Sequence, residues 1–217
     1  MLLNYSPPMS PYLEIIYQDE DLLILNKPSG LLTVPGKDPL HADCLEKRAQ
    51  RVFPTAKIVH RLDMATSGLI CLALNKAAHS HVSRQFQDRK TQKRYIARVF
   101  GKLTPETGSV DLPLICDWPN RPKQMVNFEY GKPSLTHWQV LNYEEHATRV
   151  ALTPITGRSH QLRVHMLSQG HVILGDKLYA HPEAFQMASR LQLHAEWLAI
   201  THPVTAQALE FTAPCPF

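Results

Sequence analysis

The run GLICLALN, residues 68–75, is apolar at every position between its end residues. A stretch this short, bounded by Gly68 and Asn75, is a buried strand. It follows VHRLDMATS directly, so His60, Arg61 and Asp63 stand between two apolar runs. A chain that folds around this strand has to hold a carboxylate and a cation at the edge of its core, where an unpartnered charge is costly.

The rest of the pattern is mostly strand after strand. LEIIYQDEDLLILNK (13–27) reads as a hairpin about the acidic turn QDED. PSGLLTVPGKDP (28–39) reads as a loop, and residues 40–52 as a short helix. KAAHSHVSRQFQDRK (76–90) is the clearest helix, with Ala78, Val82 and Phe86 on one stripe. KRYIARVFG (93–101) alternates, with Tyr95, Ala97 and Val99 on one face and Arg94, Ile96 and Arg98 on the other. Further strands are expected over 110–115, 134–143, 148–156 and 191–203. SHQLRVHMLSQG (159–170) predicts a helix with Ser159 as N-cap and Gly170 just past its end. The stretch 102–135 is loop-rich and suits a path over the surface. This order predicts an α+β fold with a largely antiparallel mixed sheet and flanking helices and loops. With no repeat and no linker, residues 1–217 are expected to form a single domain.

Several function classes drop out. Cys44, Cys71, Cys116 and Cys215 are scattered, which excludes a zinc ribbon and a disulfide framework. MLLNYSPPMSP has neither the charged nor the apolar part of a signal peptide. No apolar run approaches the roughly 20 residues that span a bilayer. The expectation is a cytoplasmic protein without a membrane segment. There is no phosphate-binding P-loop, no G-x-G-x-x-G and no H-E-x-x-H, so neither cofactor nor metal is expected. His160 and His165 lie about 140° apart on a helix, a poor shared metal face. The net charge of +4 is compatible with a polyanionic partner.

Three clusters carry possible chemistry. Arg61 and Asp63 are two apart and share a face on an extended segment. Thr66, Ser67 and Gly68 can place hydroxyl and N–H groups near that carboxylate. In TGRSHQLRVH (156–165), Arg158, His160, Arg163 and His165 crowd a helix N-terminus, where the dipole disfavours positive charge. Such crowding points to an anion, either a phosphate or a buried carboxylate such as Asp63. KTQKRYIARVFGK (90–102) carries five Lys or Arg and no acid, a stripe suited to a nucleic acid backbone with a base stacked beside it.

Taken in order, NKPSGLLTVPG (26–36), HRLDMATSG (60–68), KRYIARV (93–99) and GRSHQLRVH (157–165), followed by GDKLY and LHA, resemble the RluA family of RNA pseudouridine synthases almost end to end. That resemblance implies the pseudouridine synthase catalytic fold and the isomerisation of uridine within RNA. It gives Asp63 the role of essential carboxylate and Arg163 that of the cation beside it. Tyr95 would stack on the target base and help remove its C5 proton. Arg61 would fill the space left by the flipped base, His60 would hold neighbouring backbone or phosphate, and Leu162 would wall the uracil pocket. Arg158, His160, Lys93, Arg121 and Lys123 would contact RNA. The resemblance also implies no cofactor, no metal and no N-terminal S4 domain. With no coiled-coil pattern and no large exposed apolar strip in the sequence, a monomer is expected. CDWPNRPKQ (116–124) makes the chain most similar to short members acting on 23S rRNA and a tRNA anticodon stem-loop. The competing readings are a family member with other RNA targets, a non-catalytic RNA-binding protein, and a nucleoside glycosidase. The last usually needs a second carboxylate, and none lies in these motifs.

Overall fold

The computed structural model describes residues 5–217. The first four residues of the leader reading lie outside them. In chain order the strands begin with β1 Ile15–Gln18, β2 Leu22–Lys27, β3 Lys57–Ile58, β4 Ser67–Ala73, β5 Gln92–Phe100 and β6 Thr107–Asp111. They continue with β7 Leu114–Cys116, β8 Gln124–Val126, β9 Leu135–Tyr143, β10 Ala147–Pro154, β11 Leu193–Thr201 and β12 Ala208–Thr212. The helices are α1 Leu45–Val52, α2 Lys76–Gln87, α3 Gln161–Ser168 and α4 Pro182–Gln186. No helix among the described residues is long and apolar enough to cross a membrane.

The chain divides into two compact units, one running to Gln92 and resuming at Ala195–Pro216, the other built from Lys93–His194 with Phe217. In the first, β1, β2, β4 and β11 are successive neighbours, β12 pairs with β11 and β3 with β4. The expected hairpin forms because Asp19 Oδ1 accepts from the amides of Asp21 and Leu22, closing the acidic turn. All seven residues of β4 are buried. Leu22, Ile24, Leu69, Cys71, Val82, Leu198, Ile200 and Phe211 form one core. Burial on this scale stabilises by about 1.5–3 kcal/mol per large side chain. Helix α2 starts where Asn75 Oδ1 accepts from the Ala78 amide. Its buried stripe includes Ala78 and Val82, as its spacing predicts, and also Gln85. The Gln85 side-chain amide donates to the Thr201 carbonyl and accepts from the Thr201 amide. A polar residue is thereby buried at little cost.

In the second unit β5, β10, β9 and β6 are antiparallel neighbours, and β7 pairs with β8 in a separate hairpin. The pairs β1–β2, β2–β4, β3–β4 and β11–β12 of the first unit, like those of the second, are antiparallel, with a few helices added, the largely antiparallel α+β class read from the sequence. Four boundaries differ from expectation. The strand expected at 110–115 is split between β6 and β7, with Pro113 between them, a residue without an N–H to give a ladder. The helix expected from 40 starts at Leu45, because Cys44 is extended and caps it. The N-cap position of α3 is His160, not Ser159, with a left-handed backbone step (φ 53°) and no capping hydrogen bond from its side chain. The loop-rich stretch also contains the β7–β8 hairpin.

Candidate active site

Asp63 sits on a loop whose backbone is fastened from its surroundings in the first unit. Thr33 Oγ1 donates to the Leu62 carbonyl at 2.7 Å and accepts from the Leu62 amide at 3.3 Å. The Asp63 carbonyl accepts from the Thr66 amide. The Met64 carbonyl accepts from the Gly30 amide at 2.8 Å and from Lys27 Nζ at 3.1 Å. Ser29 Oγ donates to the Ala65 carbonyl at 2.7 Å. Four successive carbonyls, 62 to 65, are thus each held, three of them by NKPSGLLTVPG. Lys27 is fully buried, and its ammonium also donates to the carbonyls of Pro28 and Leu31. Those three acceptors match its three N–H groups. The segment between the apolar runs is a stapled loop, with the Asp63 side chain half-buried on it.

Each end of the loop is fixed as well. His60 Nε2 accepts from the Cys71 amide of β4 at 3.0 Å, so its ring proton is on Nδ1. The ring stacks on Phe86 of α2 at 4.3 Å. Gly68 has φ +115°, and a Cβ there would lie 2.3 Å from the Ala195 carbonyl oxygen. Only glycine fits this departure of the loop into β4. Leu62 is buried while Arg61 points outward, and among the described residues the Arg61 guanidinium makes no hydrogen bond or ion pair.

In the second unit GRSHQLRVH separates into residues that hold and residues that are held. Gln161 Oε1 accepts from Thr156 Oγ1 and the Arg158 amide, and its Nε2 donates to the Leu135 carbonyl and Thr136 Oγ1. One turn on, His165 Nε2 donates to the Leu112 carbonyl, and its Nδ1 faces Thr136 Oγ1 at 2.9 Å. Burial pushes the His165 imidazole below the usual histidine range. This histidine fastens α3 to β9 and does not contribute to an anion site. Arg163, also buried, donates from Nε and Nη2 to the two Asp176 oxygens, both at 2.7 Å. Its guanidinium also lies 5.0 Å from the Tyr179 ring centroid. Asp176, 1% exposed, further accepts from the amides of Leu178 and Tyr179. The Tyr179 hydroxyl bonds His160 Nδ1 at 2.7 Å and accepts from the Gln124 amide at 2.7 Å. His160, Arg163 and the β7–β8 hairpin are therefore joined through Asp176 and Tyr179.

The remaining expected site residues are distributed as follows. Leu162 is buried on α3 beside Arg163. Tyr95 is half-buried on β5, opposite Leu152. Lys93, on the same strand, has its ammonium pushed below the ordinary lysine range by burial. Arg158 Nε reaches the Pro133 carbonyl at 3.4 Å. Arg121 is exposed at the tip of the β7–β8 hairpin and stacks on Trp118, and Lys123 is half-buried there. Sequence reasoning assigned no task to Lys27, Thr33, Gln161, Asp176 or Tyr179. All five lie inside the quoted family motifs or adjoin them, and that placement was their only signal.

Asp19, Asp21 and His202 also converge, with ligand-type atoms within 4.8 Å of one another. They form a hydrogen-bonded turn. His202 Nδ1 accepts from the amides of Val204 and Thr205, which puts the ring proton on Nε2, facing Asp19 Oδ2 at 2.9 Å. Burial opposes the charge on Asp19, but hydrogen bonds from Tyr17, two amides and His202 hold its carboxyl below the usual range. None of the four cysteines is in a disulfide, and burial pushes the Cys71 thiol up to about 12.

A carboxylate on a prefixed loop is equipped for attack on, or proton removal from, a sugar carbon, because no backbone reorganisation accompanies the reaction. The second unit, for its part, carries exposed and half-buried cationic and aromatic side chains of the kind that meet a nucleic acid. The RNA pseudouridylate synthase family pattern matches residues 21–168. The chain is 57% identical over 215 residues to the dual-specificity RNA pseudouridine synthase RluA of Escherichia coli strain K12, covering 99% of this chain and 98% of that one. It is 52% identical to the protein of the same name from Haemophilus influenzae, covering 100% and 99%. Among solved structures, human RNA pseudouridylate synthase domain containing 1 superposes with a TM-score of 0.81 at 31% identity, covering 98% of this chain and 87% of that one. Human RNA pseudouridylate synthase domain containing 4 gives 0.75 at 26%, covering 94% and 88%. The chain belongs to the RNA pseudouridylate synthase family, and it is an isomerase of uridine in RNA.

Proposed function

We propose that this chain isomerises uridines in two kinds of structured RNA, 23S rRNA and a tRNA anticodon stem-loop, as a cytoplasmic monomer without metal or cofactor. The observation that carries the reading is that the family match spans both the Asp63 loop and the Arg163 helix. The curated relatives bear the name dual-specificity, and they align with nearly the whole chain. Residues 1–217 then act as one catalytic domain.

In the reaction the N1–C1′ bond breaks, the uracil turns and C5 bonds to C1′. The C5 proton is lost and N1 gains one, so no atom is gained overall. Asp63 acts in its ionised form, as nucleophile at C1′ or as base at the sugar. Arg163 is the cation that favours this charged form as the site is desolvated. Its orientation is set by Asp176. Tyr95 stacks on the target base. Extruding that base from a stem-loop costs a few kcal/mol. Arg61, outward on the loop, is suited to occupy the vacated space. His60 acts on the backbone side, through the Cys71 amide. Leu162 walls the pocket, and Lys93, Arg158, His160, Arg121 and Lys123 serve the RNA.

Mapping pseudouridine in total RNA from cells with and without this protein tests the target assignment. The expected result is loss of pseudouridine from both 23S rRNA and tRNA. Loss from one class alone would overturn the dual specificity.

A further inference from the structure

We propose that Trp118 and Arg121, at the tip of the β7–β8 hairpin, form a stacking platform for one unpaired nucleobase of the RNA substrate. This rests on the RNA-directed reading above and adds a recognition element to it. Trp118 is 64% exposed, and the Arg121 guanidinium carbon lies 4.5 Å from its ring centroid. A planar cation covers part of the indole, and most of the rest faces solvent. An arginine stacked in this way keeps its charge and offers N–H groups to phosphate.

The tip does not need Trp118 in order to fold. The Asp117 amide donates to the Lys123 carbonyl, the Asn120 amide to the Asp117 carbonyl and the Lys123 amide to the Asn120 carbonyl. Asn120 Nδ2 also occupies Asp117 Oδ2 at 2.9 Å. A large aromatic ring is therefore kept in water on a loop that closes without it. Its neighbours favour RNA over a protein partner. Pro119, Asn120 and Pro122 supply no broad apolar surround of the kind that protein hot spots use, whereas Arg121 and Lys123 supply positive charge. The tip also has a fixed position relative to α3. The Gln124 amide is bonded to the Tyr179 hydroxyl, which is bonded to His160, two residues before Leu162. A base resting on Trp118 is thus registered against the helix that carries Leu162 and Arg163.

The test uses the full chain and a synthetic anticodon stem-loop RNA, with Trp118→Ala, Trp118→Phe and Arg121→Ala. Dissociation constants are measured across a salt series, with intrinsic fluorescence and thermal midpoints alongside. Trp138 is buried and Trp197 half-buried, whereas Trp118 is 64% exposed, so the quenching owed to Trp118 is read as the difference between wild type and Trp118→Ala. Trp118→Ala is expected to weaken RNA binding roughly tenfold, the effect of losing one base–aromatic stack. Its salt slope and thermal midpoint should match the wild type, and Trp118→Phe should recover most of the affinity. Arg121→Ala should lower the salt slope by about 0.7, as for one phosphate contact on a single strand. Unchanged RNA affinity and quenching in Trp118→Ala would overturn the platform, as would an affinity loss matched by a fallen midpoint. An effect confined to binding another protein would overturn it as well. Because the readout is binding, a platform failure with intact pseudouridine formation leaves the enzymatic reading standing. Quenching without any pseudouridine formation would sink that reading instead.

Discussion

Asp176 accepts two hydrogen bonds from Arg163 and two from the backbone of the turn that follows it. It sets the plane of the guanidinium and compensates its charge in a buried place. Replacing it by asparagine keeps the shape and removes its negative charge from the buried pair. Asp176→Asn is expected to destabilise the protein by on the order of 3 kcal/mol, the scale for breaking a buried ion pair. Urea unfolding checks this, and a loss below about 1 kcal/mol would contradict the pairing. Nothing in GDKLY announces the role, since the partner stands 13 residues earlier and pairing depends on how α3 packs. His165 shows the opposite error. Its charge-capable ring sits in a basic string and reads as part of an anion site, yet it is buried and bonded to Thr136 and Leu112. Spacing alone does not tell which residues of a helical motif face inward.

At the scale of elements, the two motifs around Asp63 form one device. The loop 26–36 holds, and the loop 60–66 is held. Thr33→Val removes a hydroxyl that serves both polar groups of Leu62 and leaves them buried and unpaired. A stability loss of roughly 1–3 kcal/mol is expected. Single-turnover rates should fall by roughly tenfold or more, with RNA affinity kept, because the carboxylate is misplaced and not lost. A wild-type rate would contradict the clamp. The seam between α3 and β9 makes a prediction about pH. Burial depresses His165 in the fold, while the unfolded ring titrates near its ordinary value of about 6.5. Between these two values the unfolded chain binds more protons, so stability rises with pH there. The contribution is complete above about 6.5 and is lost as pH falls through the folded value. His165→Asn should therefore be less stable than wild type at pH 7.5, with the gap narrowing towards pH 5. A thermal-midpoint gap that holds or widens on acidification would contradict this. The hairpin 15–27, β4 and α2 were legible because their local patterns agree with their packing. The two-residue β3, the short α4 and the β7–β8 hairpin were not, since little in their own sequence distinguishes them from loop.

For the molecule as a whole, the family and the reaction were legible because four motifs keep their order over nearly the full chain. The division into two compact units was not, since the first unit closes only when the chain returns at Ala195. We propose that Asp63 performs the chemistry, while the backbone of its loop is held without its charge. The backbone bonds of residues 62–65 use carbonyl and amide groups, not the carboxylate. Asp63→Asn should therefore fold with a wild-type thermal midpoint and bind a stem-loop RNA with wild-type affinity. It should form no pseudouridine in that RNA under single-turnover conditions, as read by nucleoside analysis of the digested product. Pseudouridine formation by Asp63→Asn at the wild-type rate would contradict the account.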